Sequence, residues 1–205
     1  MQNPKIFLDD SNSSYRTIRA SKPIKKGELL DQTDLLTHSI WDRLKGKICD
    51  SCLNVRTNLL KCAGCSCFYY CNEECQKNDW LSFHKDECKK YQELIQQNFK
   101  VNNEFVLYFR IFLFFKKNEE LRKRYWNVKS HNDFYSEEKL QEFKLMADKI
   151  ISVLGESEEM KEILFNEILK IQVNFFTIEK PSYITNNSIG IGMKLYYFCY
   201  FNLKI

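Results

Sequence analysis

The chain has 205 residues, 44% of them hydrophobic and 28% charged, with a formal net charge of +4. Such a balance describes a soluble globular chain of one or two domains with enough apolar material for a sizeable core. It excludes a strongly basic nucleic-acid binder, and the longest apolar run, Phe105 to Phe115, is far short of the roughly 20 residues a membrane span needs.

From the N-terminus, Met1-Gln2-Asn3-Pro4-Lys5-Ile6 shows no apolar segment behind a basic end, so no secretory signal is expected. Two short strand-like pieces follow, Tyr15 to Ala20 and Glu28 to Leu30, with the turn signal Lys22-Pro23-Ile24-Lys25-Lys26-Gly27 between them. By themselves they suggest a small β-hairpin.

The most constrained stretch runs from Cys49 to Cys88 and holds eight candidate metal ligands: Cys49, Cys52, Cys62, Cys65, Cys71, Cys75, His84 and Cys88. The pairs Cys49-x2-Cys52 and Cys62-x2-Cys65 let two thiolates at the tip of a turn converge on one tetrahedral ion, for which zinc is the expected metal. His84-x3-Cys88 and Cys71-x3-Cys75 have the spacing that stacks two side chains on one face of a helical turn. Four pairs make two sites, and pairing can be sequential or interleaved. With four protein ligands each, neither ion keeps a position for water or substrate, so both zincs are structural. About forty residues with few apolar side chains bury too little surface to fold alone, and metal binding supplies the missing free energy. Cys67 lies between ligands without a partner in the pattern and reads as a small half-buried thiol or an alternative ligand. Thiolate ligands imply a reducing compartment, hence cytoplasm or nucleus. Acidic and basic residues balance between Cys49 and Lys90, which disfavours phosphate binding by this segment.

Beyond it, helices are expected over Lys89 to about Gln97 and Glu104 to Phe115, the latter a buried core helix broken by Arg110. Leu140, Phe143, Ala147, Ile150, Ile151 and Leu154 recur at helical spacing, with Ser136 as N-cap, Glu137 and Glu138 at the positive end of the dipole, and Gly155 as the stop. Ser157, Glu158 and Glu159 open a further helix that turns Met160, Leu164, Ile168 and Ile171 to one side. Arg122-Lys123-Arg124 reads as a solvated helix face rather than a nucleic-acid patch.

The ordered string C-x2-C-x9-C-x2-C-x5-C-x3-C-x8-H-x3-C, with Tyr70 before the fifth ligand, Cys75-Gln76, Asp79-Trp80 and His84-Lys85-Asp86-Glu87-Cys88, resembles a MYND zinc finger. The resemblance implies interleaved sites: Cys49, Cys52, Cys71 and Cys75 on one zinc, and Cys62, Cys65, His84 and Cys88 on the other. The gap from Cys75 to His84 is one residue longer than the family usually has, which a shifted helix start would absorb. It also implies binding of proline-rich protein segments, with Gln76 and Trp80 at the positions the family uses; Trp80 reads equally as a packing residue beside a zinc.

Around the finger, Arg19-Ala20, Ile24, Gly27-Glu28-Leu29-Leu30 and Ile189-Gly190-Ile191-Gly192-Met193 resemble parts of a SET domain, as in the SET-and-MYND (SMYD) family of protein-lysine methyltransferases. The order of helices, including Lys129-Ser130-His131, resembles that family's SET insert. This implies an α+β chain: 1–48 an N-terminal SET portion, 49–88 the finger, 89–180 a helical insert, and 181–205 a truncated SET strand with a non-family tail. By the same resemblance Asn174 matches a cofactor-contacting position and His131 sits near a second, against plain readings as a helix C-terminal cap and a surface histidine. Ser13-Ser14-Tyr15-Arg16-Thr17 stands where the family carries a Gly-x-Gly loop around S-adenosylmethionine, and no Asn-His pair occurs anywhere in the chain. These departures speak against cofactor binding and leave no catalytic residue to name. The expectation is a monomeric, zinc-stabilised protein-interaction module without membrane or nucleic-acid partners, in a truncated relative of a methyltransferase; an active methyltransferase is the alternative.

Overall fold

A computed structural model describes residues 5–9, 17–30, 35–126, 130, 132–179 and 188–193. The described residues divide into two compact units, one before residue 37 and one spanning 37–193.

In the first unit β1 (Ile6–Asp9) pairs antiparallel with β2 (Thr17–Ala20), Ile6 opposite Ala20 and Asp9 opposite Thr17. Arg19 forms an ion pair with Asp9 across the strands. The expected hairpin is thereby corrected: Glu28 to Leu30 forms no strand, and the partner of β2 lies upstream. The reason is local. The Glu28 amide closes a turn on the Lys25 carbonyl at 3.0 Å, and its carboxylate accepts from the Lys25 amide at 3.1 Å, so neither is presented to a neighbouring strand.

In the second unit β3 (Thr37–Ile40) leads into the finger, which contains the short pair β4 (Leu60–Lys61) and β5 (Tyr69–Tyr70), then α1 (Glu73–Asp79), a π-helical turn over Trp80–His84, and α2 (Lys85–Gln96). Four helices follow: α3 (Asn103–Lys117), α4 (Glu119–Trp126), α5 (Glu137–Leu154) and α6 (Glu159–Asn174). The chain then adds β6 (Phe176–Glu179) and β7 (Ser188–Met193). Strand β7 lies between β3 and β6, antiparallel to both. The mixture of helices and antiparallel sheet fits an α+β chain.

Helix α3 is the centre of this unit. It buries Phe105, Val106, Leu107, Tyr108, Phe109, Ile111, Phe112 and Phe115, so it is apolar nearly all round, as a helix covered on every side must be. Asn102 caps it, accepting from the Phe105 amide at 2.8 Å. Helix α5 starts and stops where its sequence signals place it: Ser136 accepts from the Lys139 amide, and Gly155 takes the left-handed conformation at φ 70°. Its buried stripe comprises Phe143, Ala147, Ile150 and Ile151, packed on α6. On α6 Leu164, Ile168 and Ile171 are buried, while Met160 is only half-buried. Among the described residues no helix is long and apolar enough to cross a membrane.

Candidate metal centre

Two knuckles of the same construction present the Cys-x2-Cys pairs. In the first, the Leu53 amide donates to the Cys49 carbonyl at 3.0 Å; in the second, the Ser66 amide donates to the Cys62 carbonyl at 3.0 Å. Leu53 and Ser66 both take positive φ, 59°, a conformation that side chains adopt only where the surroundings impose it. Asp50 ties the first knuckle to β5: its amide donates to the Tyr69 carbonyl at 2.8 Å and its carboxylate accepts from the Tyr69 amide at 2.7 Å.

The second pair of each site comes from the helices. Asn72 caps α1 through the Cys75 amide at 2.9 Å, setting Cys71 just before the helix and Cys75 in its first turn. His84 closes the π turn and Cys88 follows one turn later in α2. Between Cys75 and His84 the helix widens into that π turn, and an i→i+5 turn holds one residue more than an α-helical turn without ending the helix.

The pairing is interleaved. Ligand atoms of Cys49, Cys52, Cys71 and Cys75 lie within 4.8 Å of one another, as do those of Cys62, Cys65, His84 and Cys88. The sulfurs of Cys52 and Cys71 are 3.6 Å apart, and those of Cys62 and Cys88 are 3.7 Å apart. A tetrahedron with metal–sulfur bonds of about 2.3 Å has sulfur–sulfur edges of about 3.8 Å. The imidazole Nε2 of His84 lies 3.3 Å from the Cys62 sulfur and 3.5 Å from that of Cys65, again close to the edge of about 3.5 Å such a site requires. Both clusters therefore fit a zinc ion.

Electrostatics agree with the donor set. Burial and the crowding of neighbouring sulfurs push Cys75 and Cys88 up to about 12 and Cys71 up to about 11. Burial also opposes ionisation of Cys62, but hydrogen bonds from the Cys65 backbone, His84 and the Gly64 backbone outweigh it and draw the thiol down to about 6. So many sulfurs ionise together only around a cation, and a divalent ion supplies it. Cys67 is buried with its amide 3.5 Å from the Cys65 sulfur, and it stands outside both clusters.

Several residues that matter here escape the ligand spacing. His38 donates from Nε2 to the Asp50 carbonyl at 2.8 Å, bracing the first knuckle. Asp79, Glu87 and Arg110 form a buried ion-pair web beside His84. A lone arginine in the apolar run of α3 is the signal for it, since a buried charge requires a partner.

Residues 49–88 match the family model of the MYND finger. The segment is a zinc-binding MYND finger, a protein-interaction module. Over this region the chain is similar to SMYD methyltransferases. It is 39% identical over 72 residues to human "Histone-lysine N-methyltransferase SMYD3", covering 35% of this chain and 17% of that protein. It is 38% identical over 79 residues to Xenopus laevis "N-lysine methyltransferase SMYD2-B", covering 38% and 18%, and 27% identical over 104 residues to mouse "Histone-lysine N-methyltransferase Smyd1", covering 49% and 21%. The chain spans about a fifth of the length of the curated relatives it matches.

Gln76 and Trp80 sit one turn apart, the Trp80 amide donating to the Gln76 carbonyl. Trp80 is 38% exposed, yet one edge packs against His84 with ring centroids 5.9 Å apart; its neighbour Leu81 is 71% exposed. Asn174 is the last residue of α6, and its Nδ2 donates to the Lys170 carbonyl at 2.6 Å. His131 lies outside the described residues, as do Ser13 to Arg16.

Proposed function

We propose that this chain is a protein-recognition module whose surface is held in shape by two structural zinc ions, one on Cys49, Cys52, Cys71 and Cys75 and the other on Cys62, Cys65, His84 and Cys88. The observation that carries this reading is the tetrahedral spacing of both four-ligand clusters, which gives the ions a scaffolding task and no place for a substrate. The recognition surface is the exposed turn carrying Gln76 and Trp80. Its partner is a proline-rich segment, because a pre-extended polyproline backbone gives up little entropy on docking and packs well against an aromatic ring. The chain acts as a monomer in the cytoplasm or nucleus, where thiols stay reduced. Trp80→Ala tests it: loss of binding to a proline-rich peptide with two zincs retained supports Trp80 as part of the recognition surface, whereas loss of both assigns Trp80 to packing.

A second reading has support from β7: the segment Ile189 to Met193, which resembles a SET-domain strand, does form a strand, paired between β3 and β6. In this reading 1–48, 89–180 and 181–205 belong to a partial SET domain around the finger, Asn174 and His131 face S-adenosylmethionine, and the chain belongs to a protein-lysine methyltransferase like the matched relatives. Calorimetric titration with S-adenosylmethionine separates the two. Micromolar binding by the 205-residue chain favours the methyltransferase.

A further inference from the structure

Between the mixed-ligand zinc site and the helical layer runs a line of charged side chains sealed from solvent. Arg110, 1% exposed, projects from the middle of α3. Its Nε donates to both carboxylate oxygens of Glu87 at 3.0 and 3.1 Å, and its Nη2 to both oxygens of Asp79 at 3.0 and 3.1 Å. The guanidinium carbon stands 4.8 Å from the ring centroid of Phe68 and 5.1 Å from that of Phe83. The Tyr70 hydroxyl donates to Asp79 at 2.7 Å. Glu87, 0% exposed, reaches on to His84: one of its oxygens lies 3.7 Å from Nδ1, an atom with no hydrogen-bond partner.

Glu87 accepts only from the Arg110 Nε and keeps lone pairs to spare, and an acceptor sealed from solvent requires a donor. An imidazole that ligates zinc through Nε2 carries its proton on Nδ1, polarised by the metal, and that N–H requires an acceptor where water is excluded. Each need answers the other. The 3.7 Å approach is ion-pair length, and a shift of about 0.8 Å brings the pair to a hydrogen bond.

We infer that Glu87 and Arg110 are positioning residues of the Cys62, Cys65, His84 and Cys88 zinc site. Glu87 fixes the His84 ring with Nε2 toward the metal and raises its basicity as a ligand. Arg110, from a helix beyond the finger, holds Glu87 in place. The all-cysteine site has no histidine and so takes no such support, which makes retention of one zinc, and not the other, depend on α3. This inference rests on the zinc assignment above.

The test uses the full chain loaded with zinc, and with cadmium for 113Cd NMR, which separates a four-sulfur site from a three-sulfur, one-nitrogen site. Metal loss to a chromogenic chelator is timed for Glu87→Gln, which keeps the shape and leaves one guanidinium facing one carboxylate. Arg110→Lys keeps the charge but loses the fork that grips both carboxylates. Leu164→Ala, a buried α6 residue away from this line, controls for general loss of stability. Glu87→Gln should release metal from the mixed site roughly 10- to 100-fold faster, with the four-sulfur site unchanged and the His84 Nδ1 resonance moved in long-range 1H–15N spectra. Arg110→Lys should act in the same direction by a smaller factor. Mixed-site loss at the wild-type rate in folded Glu87→Gln, equal acceleration at both sites, or the same selectivity from Leu164→Ala would overturn the inference. Wild-type protein carrying fewer than two metal ions would instead overturn the zinc reading beneath it.

Discussion

Gly64, inside the second knuckle, offers a sharp probe of the ligand set. A Cβ at this position would stand 2.7 Å from the Cys88 sulfur and 3.9 Å from the Cys62 sulfur. The Cys88 sulfur must recede by about 0.7 Å to reach 3.4 Å, the near edge of ordinary contact. In a metal-free chain that is cheap, since a thiol swings about its own χ1. In the loaded site the zinc–sulfur bond is held near 2.3 Å within about 0.2 Å, so the displacement exceeds the tolerance more than threefold and the thiolate leaves the metal. Gly64→Ala should therefore weaken zinc at the Cys62, Cys65, His84 and Cys88 site by more than the roughly 10- to 100-fold typical of an outer-shell change. The all-cysteine site should keep its ion, and the metal-free chain should stay within about 0.5 kcal/mol of wild type. Native mass spectrometry counts the ions, and cobalt(II) titration reports the lost thiolate through its charge-transfer band. A Gly64→Ala protein that holds two zincs at wild-type affinity would show that Cys88 is not where the reasoning places it.

Stripping zinc with excess chelator at pH 7 should raise hydrogen exchange across residues 45–90 while amides in α5 and α6, which carry no ligand, keep their protection; uniform loss of protection would contradict local metal-coupled folding. His38 gives a pH signature: burial first, then the nearby Arg110 charge, draws its imidazole down to about 4, whereas an unfolded chain protonates it near 6.5. Unfolding therefore takes up a proton in that window and stability falls as pH falls through it, so the advantage of wild type over His38→Gln in urea unfolding should shrink by about 1 kcal/mol between pH 6.5 and 5.5. A pH-independent difference between the two proteins would rule this out. Ser136→Ala, which removes the α5 cap on the Lys139 amide, should cost about 1 kcal/mol by thermal or urea unfolding, and Ser136→Asn should restore it.

The ligands were legible because they come in local pairs, and short spacings set the geometry of a knuckle or a helical turn. Which pair meets which is not a local matter, so the interleaving of Cys49 and Cys52 with Cys71 and Cys75 came from the MYND resemblance and not from spacing. Helix α5 was legible for the same local reason, its Ser136 cap and Gly155 stop lying within reach of the backbone groups they satisfy. Strand pairing is different. Glu28 to Leu30 and Ile6–Asp9 are both short, and only the register of Ile6 against Ala20 reveals the true partner of β2. Arg110 was visible as a break in an apolar run, but its carboxylate partners lie 23 and 31 residues away in the finger, beyond any pattern along the chain.

The π turn connects the metal spacing to the exposed side chains of Trp80 and Leu81. Each residue added to an α-helix rotates everything after it by about 100°, so one surplus residue between Cys75 and His84 would swing His84 and Cys88 off their knuckle. The ligands cannot drift, because the bond lengths at zinc hold them; the helix widens over Trp80–His84 instead. That turn carries Trp80, partly exposed, and Leu81, the more exposed of the two, so an aliphatic side chain stands in solvent next to the aromatic one. Arg110 over the Phe83 ring and Glu87 beside His84 hold the inner face of the same turn, so the metal site fixes one face and leaves Trp80 and Leu81 toward solvent.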